Sequence, residues 1–443
     1  MKKVLSLAMA AALAVVAIPG TASGAPLPPR SDPFYQPPAG YQATAPGTIL
    51  KQRTVSEAAF GYLPQQVQAW QLLYRTADTQ GNPEATVTTV LEPLNAKRSA
   101  SRPLLSYQVA EDSSAPQCAI SYQLEQGSDN SNIVAEAEIL LIDAAVRKGW
   151  AVTVPDYEGP ASAYTGGKQA GQAVLDGIRA TENFGTIGLA GAATKVGVWG
   201  YSGGALASGW ASELQPSYAP DLHIAGVAEG GLPVNLRDIL NGINAGPFVG
   251  IAMSGIAGLA HAYPQLAAFL DTNLTPAGQS AFATVNSECN AQNAARYAFT
   301  NIYQYFDVSD PLDLPVPKQV LADDTLGQHT PTVPMFVYQS VNDELVPHAD
   351  TDAVVNKYCA AGTDVAYQRD VLSEHVILAV TGAPDALNWL TDRLNGKPAA
   401  SGCDTKTVAS SLFSPGALST FGSVIFNDLL ALADQPIGPG DMA

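Results

Sequence analysis

The chain is poor in charge. Only 14% of its 443 residues are Asp, Glu, Lys or Arg, well below the roughly 25% of an average soluble chain. Disorder requires high charge and low hydrophobicity. At 47% apolar, most of this chain is expected to fold. Positive charge is the scarcer sign: 22 Lys and Arg stand against 40 Asp and Glu, for a formal charge of −18. Such a chain repels phosphate backbones, which disfavours nucleic acid as a partner, and it gains little from anionic membranes. There are five histidines and four cysteines, and no two cysteines lie close together in sequence. That spacing offers no metal site, and no cofactor is expected. Repeats are absent. After the N-terminus, no apolar run is long enough to span a bilayer: residues 248–270 are interrupted by His261 and Pro264.

The N-terminus reads as a secretory signal over residues 1–24. Lys2 and Lys3 precede an apolar run at 4–18, and small residues follow at 22–25. The protein is therefore expected outside the cell, with no membrane span after cleavage. Four cysteines behind a signal suggest two disulfides, for which three pairings exist. Residues 26–48 are rich in Pro, Gly and Ser and should be extended. Strands are expected at 85–91, 103–109, 150–154, 195–199, 224–228, 334–339 and 365–369. Helices are expected at 137–148, from about Gly204, and at 383–395. This alternation argues for an α/β fold with a mostly parallel sheet. The rhythm lapses at 234–324, which carries helical patterning and many small residues. The expected organisation is a core of residues 25–233 and 325–400, a helical insertion at 234–324, and a tail at 401–443 tied back by Cys403.

Gly200-Tyr-Ser-Gly-Gly204 fits the G-x-S-x-G nucleophile elbow. The motif is short and weak alone. Here it follows a predicted strand and precedes a predicted helix, the setting in which a strained turn exposes the serine hydroxyl. Serine needs a base to take its proton. Of His223, His261, His329, His348 and His375, only His375 follows the last predicted strand and precedes the closing helix, where the base belongs. The acid should follow the strand at 334–339. Asp343 in Ser340-Val-Asn-Asp343 is the best candidate, with Glu344 and Asp350 as fallbacks. One oxyanion donor should be the N–H of Gly203, and another should come from the loop at 110–113, where fold logic does not choose among residues.

These motifs, taken in order, resemble the secretory lipase family of α/β-hydrolases, which has yeast and actinobacterial members. The matching stretches are Tyr107-Gln-Val-Ala-Glu-Asp112-Ser, Val154-Pro-Asp-Tyr-Glu-Gly159-Pro, the elbow, Asn342-Asp-Glu-Leu-Val-Pro347 and Glu374-His375. The resemblance runs from about Phe34 to Cys403. It implies a triad of Ser202, Asp343 and His375, an oxyanion hole of Gly203 and Asp112, and a helical cap over the site. It also implies the pairings Cys118–Cys289 and Cys359–Cys403. The substrate is then expected to be a lipid or other acyl ester. Tyr201, Phe248, Ile251, Met253 and Ile256 are candidate substrate contacts. Competing readings are a short-chain carboxylesterase, a serine exopeptidase on the same fold, and a catalytically silent surface protein.

Overall fold

The computed structural model describes residues 25–438; the expected signal peptide and residues 439–443 lie outside them. Ten strands form one sheet: β1 (Ile49–Val55), β2 (Val67–Ala77), β3 (Pro83–Pro93), β4 (Leu104–Gln108), β5 (Ala151–Pro155), β6 (Val196–Tyr201), β7 (Ile224–Gly230), β8 (Met335–Ser340), β9 (Val365–Asp370) and β10 (Cys403–Val408). Their order is β1-β2-β3-β5-β4-β6-β7-β8-β9-β10. The first three strands are antiparallel, as is the pairing of β3 with β5; every pair from β5 to β10 is parallel. Parallel strands need crossovers that cover both faces of the sheet. Accordingly, β4, β5, β6 and β8 are buried along their whole length.

Two apolar layers sandwich the sheet. On one face lie α2 (Gly167–Glu182) and α3 (Gly203–Tyr218). On the other lie α1 (Ile139–Arg147), α11 (His375–Thr381) and α12 (Ala383–Leu394). Between β7 and β8 the chain leaves the sheet for six helices: α4 (Leu236–Ile243), α5 (Val249–Ala262), α6 (Pro264–Asn273), α7 (Pro276–Val285), α8 (Asn290–Tyr297) and α9 (Pro315–Asp323). The ends of this excursion meet, with Leu326 N–H donating to Val234 O (3.1 Å). Helix α10 (His348–Ala360) joins β8 to β9.

The tail does more than trail from Cys403. It supplies β10, an exposed edge strand in register with β9, and then α13 (Ala417–Leu432), which packs outside α1 and α12. Beyond α13, Ile437 bonds back to Gln66 and Leu94. Disulfides join Cys118 to Cys289 and Cys359 to Cys403, and no cysteine is free among the described residues. None of the described helices is long and apolar enough to cross a membrane.

Candidate active site

The site sits where β4, β6, β8 and β9 end. Ser202 follows β6 with φ 51° and ψ −121°, an uncommon conformation for a residue with a side chain. Flanking glycines permit the turn. A Cβ on Gly200 would strike the Gly204 carbonyl, and one on Gly204 would strike that of Gln108. Ser202 N–H donates to Gly230 O at 2.9 Å, which anchors the elbow to β7.

His375 is the first residue of α11. Its Nε2 lies 2.9 Å from Ser202 Oγ, and its Nδ1 lies 2.8 Å from Asp343 Oδ2. Asp343 accepts three further bonds: Leu345 N–H (3.0 Å) and Val346 N–H (2.7 Å) at Oδ1, and Gln339 Nε2 (2.8 Å) at Oδ2. The imidazole bonds to neither fallback acid. Glu344 instead accepts the backbone N–H of His375 (3.0 Å), while Glu374 caps α11 through the N–H groups of Val376 and Ile377 (2.9 Å each).

Asp112 and Gly203 line one cavity together with Ser202. Neither backbone N–H has a protein acceptor among the described residues, and Gly203 opens α3, where helical N–H groups have no acceptor of their own. Asp112 holds φ 52° and is buried. Burial raises its carboxyl to about 6, against a smaller opposing pull from His375. Behind it, burial pushes Glu111 and Glu158 well above the ordinary carboxyl range.

The cavity, of about 90 Å³, runs from Ser202 between α3, α4 and α5, and its walls include Leu206, Leu240, Ile251, Ile256 and Leu259. Ile251 and Ile256 therefore face it as expected, but three other candidates do not. Met253 is fully buried on the opposite side of α5, because the helical repeat turns it, with Gly250 and Ser254, towards α8; Ser254 Oγ accepts a bond from Asn293 there (3.1 Å). Phe248 precedes α5 and stays outside the lining. Tyr201 points behind the base: its hydroxyl donates to the His375 carbonyl (2.5 Å). None of the described residues of the tail lines the cavity. Sequence reasoning missed Gln339, which bridges Asp343 to Leu232 N–H (3.0 Å). Its signal was a lone amide ending an otherwise apolar strand.

Such an arrangement can deprotonate a serine, hold an oxyanion on two N–H groups and receive an apolar chain. Fold and site together define the α/β-hydrolase class, with Ser202 as its candidate nucleophile. Known proteins narrow the class. The family profile described as "Secretory lipase" matches residues 124–402. Lipase A of Arthroderma benhamiae is 43% identical over 430 residues, covering 94% of this chain and 91% of that one. A Mycobacterium tuberculosis protein named as a "Probable inactive lipase" is 42% identical over 375 residues, 84% of each chain. The crystal structure of Candida antarctica lipase A in its closed state superposes with a TM-score of 0.85 at 31% identity, covering 94% of this chain and 99% of that one. The chain belongs to the secretory lipase family.

Proposed function

We propose that this secreted protein hydrolyses acyl esters longer than acetate, triacylglycerols among them, through an acyl-enzyme at Ser202. The observation that carries the reading is the unbroken Ser202–His375–Asp343 hydrogen-bond chain opening onto an apolar cavity. His375 Nε2 takes the Ser202 proton as Oγ attacks the ester carbonyl. Asp343 holds the imidazole in the needed tautomer and stabilises imidazolium. The N–H groups of Gly203 and Asp112 take the developing oxyanion. His375 returns the proton to the leaving alcohol, and water then cleaves the acyl-enzyme by the same route. The helices α4–α9 serve as a cap whose inner surface receives the acyl chain. An intact triad separates this reading from a silent protein, which likeness to an inactive relative alone would not do.

A p-nitrophenyl ester series from acetate to octanoate tests the substrate reading. Rates are expected to rise with chain length and then level off where the cavity ends. A steady fall from acetate onward leaves a short-chain esterase instead. Ser202→Ala is expected to abolish nearly all turnover in a folded protein, and near-normal turnover refutes the nucleophile.

A further inference from the structure

Helix α13 is built inside out. Its sixteen residues carry one charged side chain, Asp428, and that side chain is only 6% exposed, beside buried Asp143 and the Arg147 that bonds to Asn427 O (2.9 Å). The outward side carries Leu418, Ile425, Phe426 and Leu429, all exposed. A helix facing water has the opposite arrangement. The apolar surface continues past the helix. Phe413, in the turn before it, is 75% exposed, and Leu372 is 71% exposed. These two segments lie side by side, with Leu372 N–H donating to Ala409 O (3.0 Å) and Ser411 N–H to Asp370 Oδ2 (2.6 Å). Next comes α11, whose outer side exposes Val376, Ile377 and Val380 and whose first residue is His375. The surface thus reaches the rim of the site.

We infer that this face, from α13 across Phe413 to α11, seats the protein on an uncharged lipid–water interface. The inference rests on the lipase reading and adds the surface by which the site meets bulk substrate. Charge selects the occupant. Between Val408 and Ala433 there is no Lys or Arg and one buried acid, and the chain as a whole carries −18. Anionic headgroups are drawn by clustered cations, which this face lacks. An uncharged apolar phase needs only apolar area, and exposed apolar patches of this kind mark interaction surfaces. A second copy of the chain is the alternative occupant, but pairing through this face would cover the site rim of both copies.

The test uses the mature secreted chain and the triple variant Phe413→Ser, Phe426→Gln, Leu429→Gln. Adsorption is read by flotation with a triolein emulsion coated with phosphatidylcholine, and turnover on the emulsion and on soluble p-nitrophenyl butyrate. Adsorption and emulsion turnover should fall at least tenfold, while soluble-ester turnover stays within twofold of wild type. Unchanged adsorption overturns the inference. So does a wild-type dimer that the variant dissolves without loss of flotation. Should the triple variant also lose soluble-ester turnover, Phe426→Lys alone decides. It should weaken flotation with the neutral emulsion and gain binding to phosphatidylglycerol vesicles, and unaltered preference overturns the inference. A wild-type chain that floats but cleaves no ester defeats the lipase reading and leaves this surface standing.

Discussion

Two loops leave the same edge of the sheet and meet at Ser202, but they are held in different ways. The loop after β8 satisfies itself. Asp343 receives bonds from Leu345, Val346, Gln339 and His375, all from the sheet core or its own turn. The loop after β4 leans on the inserted helices. Ser113 Oγ accepts the N–H of Asn290 at the start of α8 (2.9 Å), Asp112 Oδ2 lies 3.4 Å from Asn290 Nδ2, and Cys118 is bonded to Cys289. Asp112 Oδ1 is buried and has no hydrogen-bond partner within normal geometry among the described residues. The proposed base and acid are thus set by the sheet, whereas the proposed oxyanion side is set jointly by sheet and insertion. One carboxylate accepts four hydrogen bonds; the other is buried with few donors, and burial raises its pKa.

The largest test breaks the self-satisfied side. Asp343→Asn offers an amide where an acceptor is required, so the imidazole loses its tautomer. A fall in kcat of about 10⁴ on a soluble ester is expected, with the fold retained by circular dichroism. A fall below a hundredfold would mean that Glu344 or another group can serve.

The two disulfides sharpen the contrast. Their sequence separations are 171 and 44. Loop entropy alone assigns them about 5 and about 4 kcal/mol, too close to tell them apart by stability. Activity should tell them apart. Replacing Cys118 and Cys289 by Ser frees the oxyanion loop from α8, and kcat below the melting temperature is expected to drop more than tenfold. Replacing Cys359 and Cys403 frees α10 from β10, remote from Ser202, and kcat should stay within twofold. Equal losses in both pairs would erase the distinction between the two loops.

Much of this was legible in the sequence because it is local. The elbow, the β6 strand and the His375 position are written in short contiguous patterns that fold logic orders. What was not legible depends on partners distant in sequence. Helix α2 went unread because Gly167, Gly171 and Gly177 weaken helical patterning; Gly171 is needed because a Cβ there would strike the backbone of Trp210 and Ala211 on α3, and Gly167 because one would strike the Trp210 ring. Strand β10 reads Cys-Asp-Thr-Lys-Thr-Val and is exposed nearly throughout, so it has no apolar alternation to betray it. The phase of α5 was equally hidden. The segment is apolar on both sides, and periodicity says nothing about which side meets a cavity.

Asp112 provides the next test, and its sign follows from burial. The folded chain keeps this carboxyl protonated up to about 6, while the unfolded chain ionises it near 3.8. Its contribution to stability is therefore full below 3.8 and is lost as pH rises through about 6. At about 1.4 kcal/mol per pH unit, the gap corresponds to ~3 kcal/mol. Asp112→Asn cannot ionise, so urea melts should show it more stable than wild type at pH 8 by up to that amount and no more stable at pH 3.5. Removing an anion beside Gly203 should also raise kcat/KM at pH 8. The same direction holds for Glu138 and Glu229, raised to about 8, and Asp156 and Asp324, raised to about 7, all by burial. The wild-type melting temperature should accordingly fall between pH 5 and pH 9. No gain for Asp112→Asn at pH 8 would place its carboxyl among ordinary solvated acids and remove the contrast with Asp343.

The smallest effect divides the two sides of α5. Ile251 faces the cavity and Met253 faces α8, although a single residue separates them in sequence. Ile251→Trp adds bulk to a space of about 90 Å³ and should block the far end of an acyl chain while leaving the reaction centre untouched. Each methylene that can no longer be buried forfeits ~0.8 kcal/mol at most. Two lost methylenes then lower the octanoate-to-butyrate ratio of kcat/KM by about tenfold, with butyrate itself little changed. Met253→Trp forces the same ring into packed helices, where overpacking costs ~1–3 kcal/mol of stability. It should lower the melting temperature and leave the chain-length ratio within twofold. If both variants shift the ratio alike, the insertion acts on the substrate only through its stability. If Met253→Trp alone shifts it, the acyl chain runs along α8 rather than between α4 and α5.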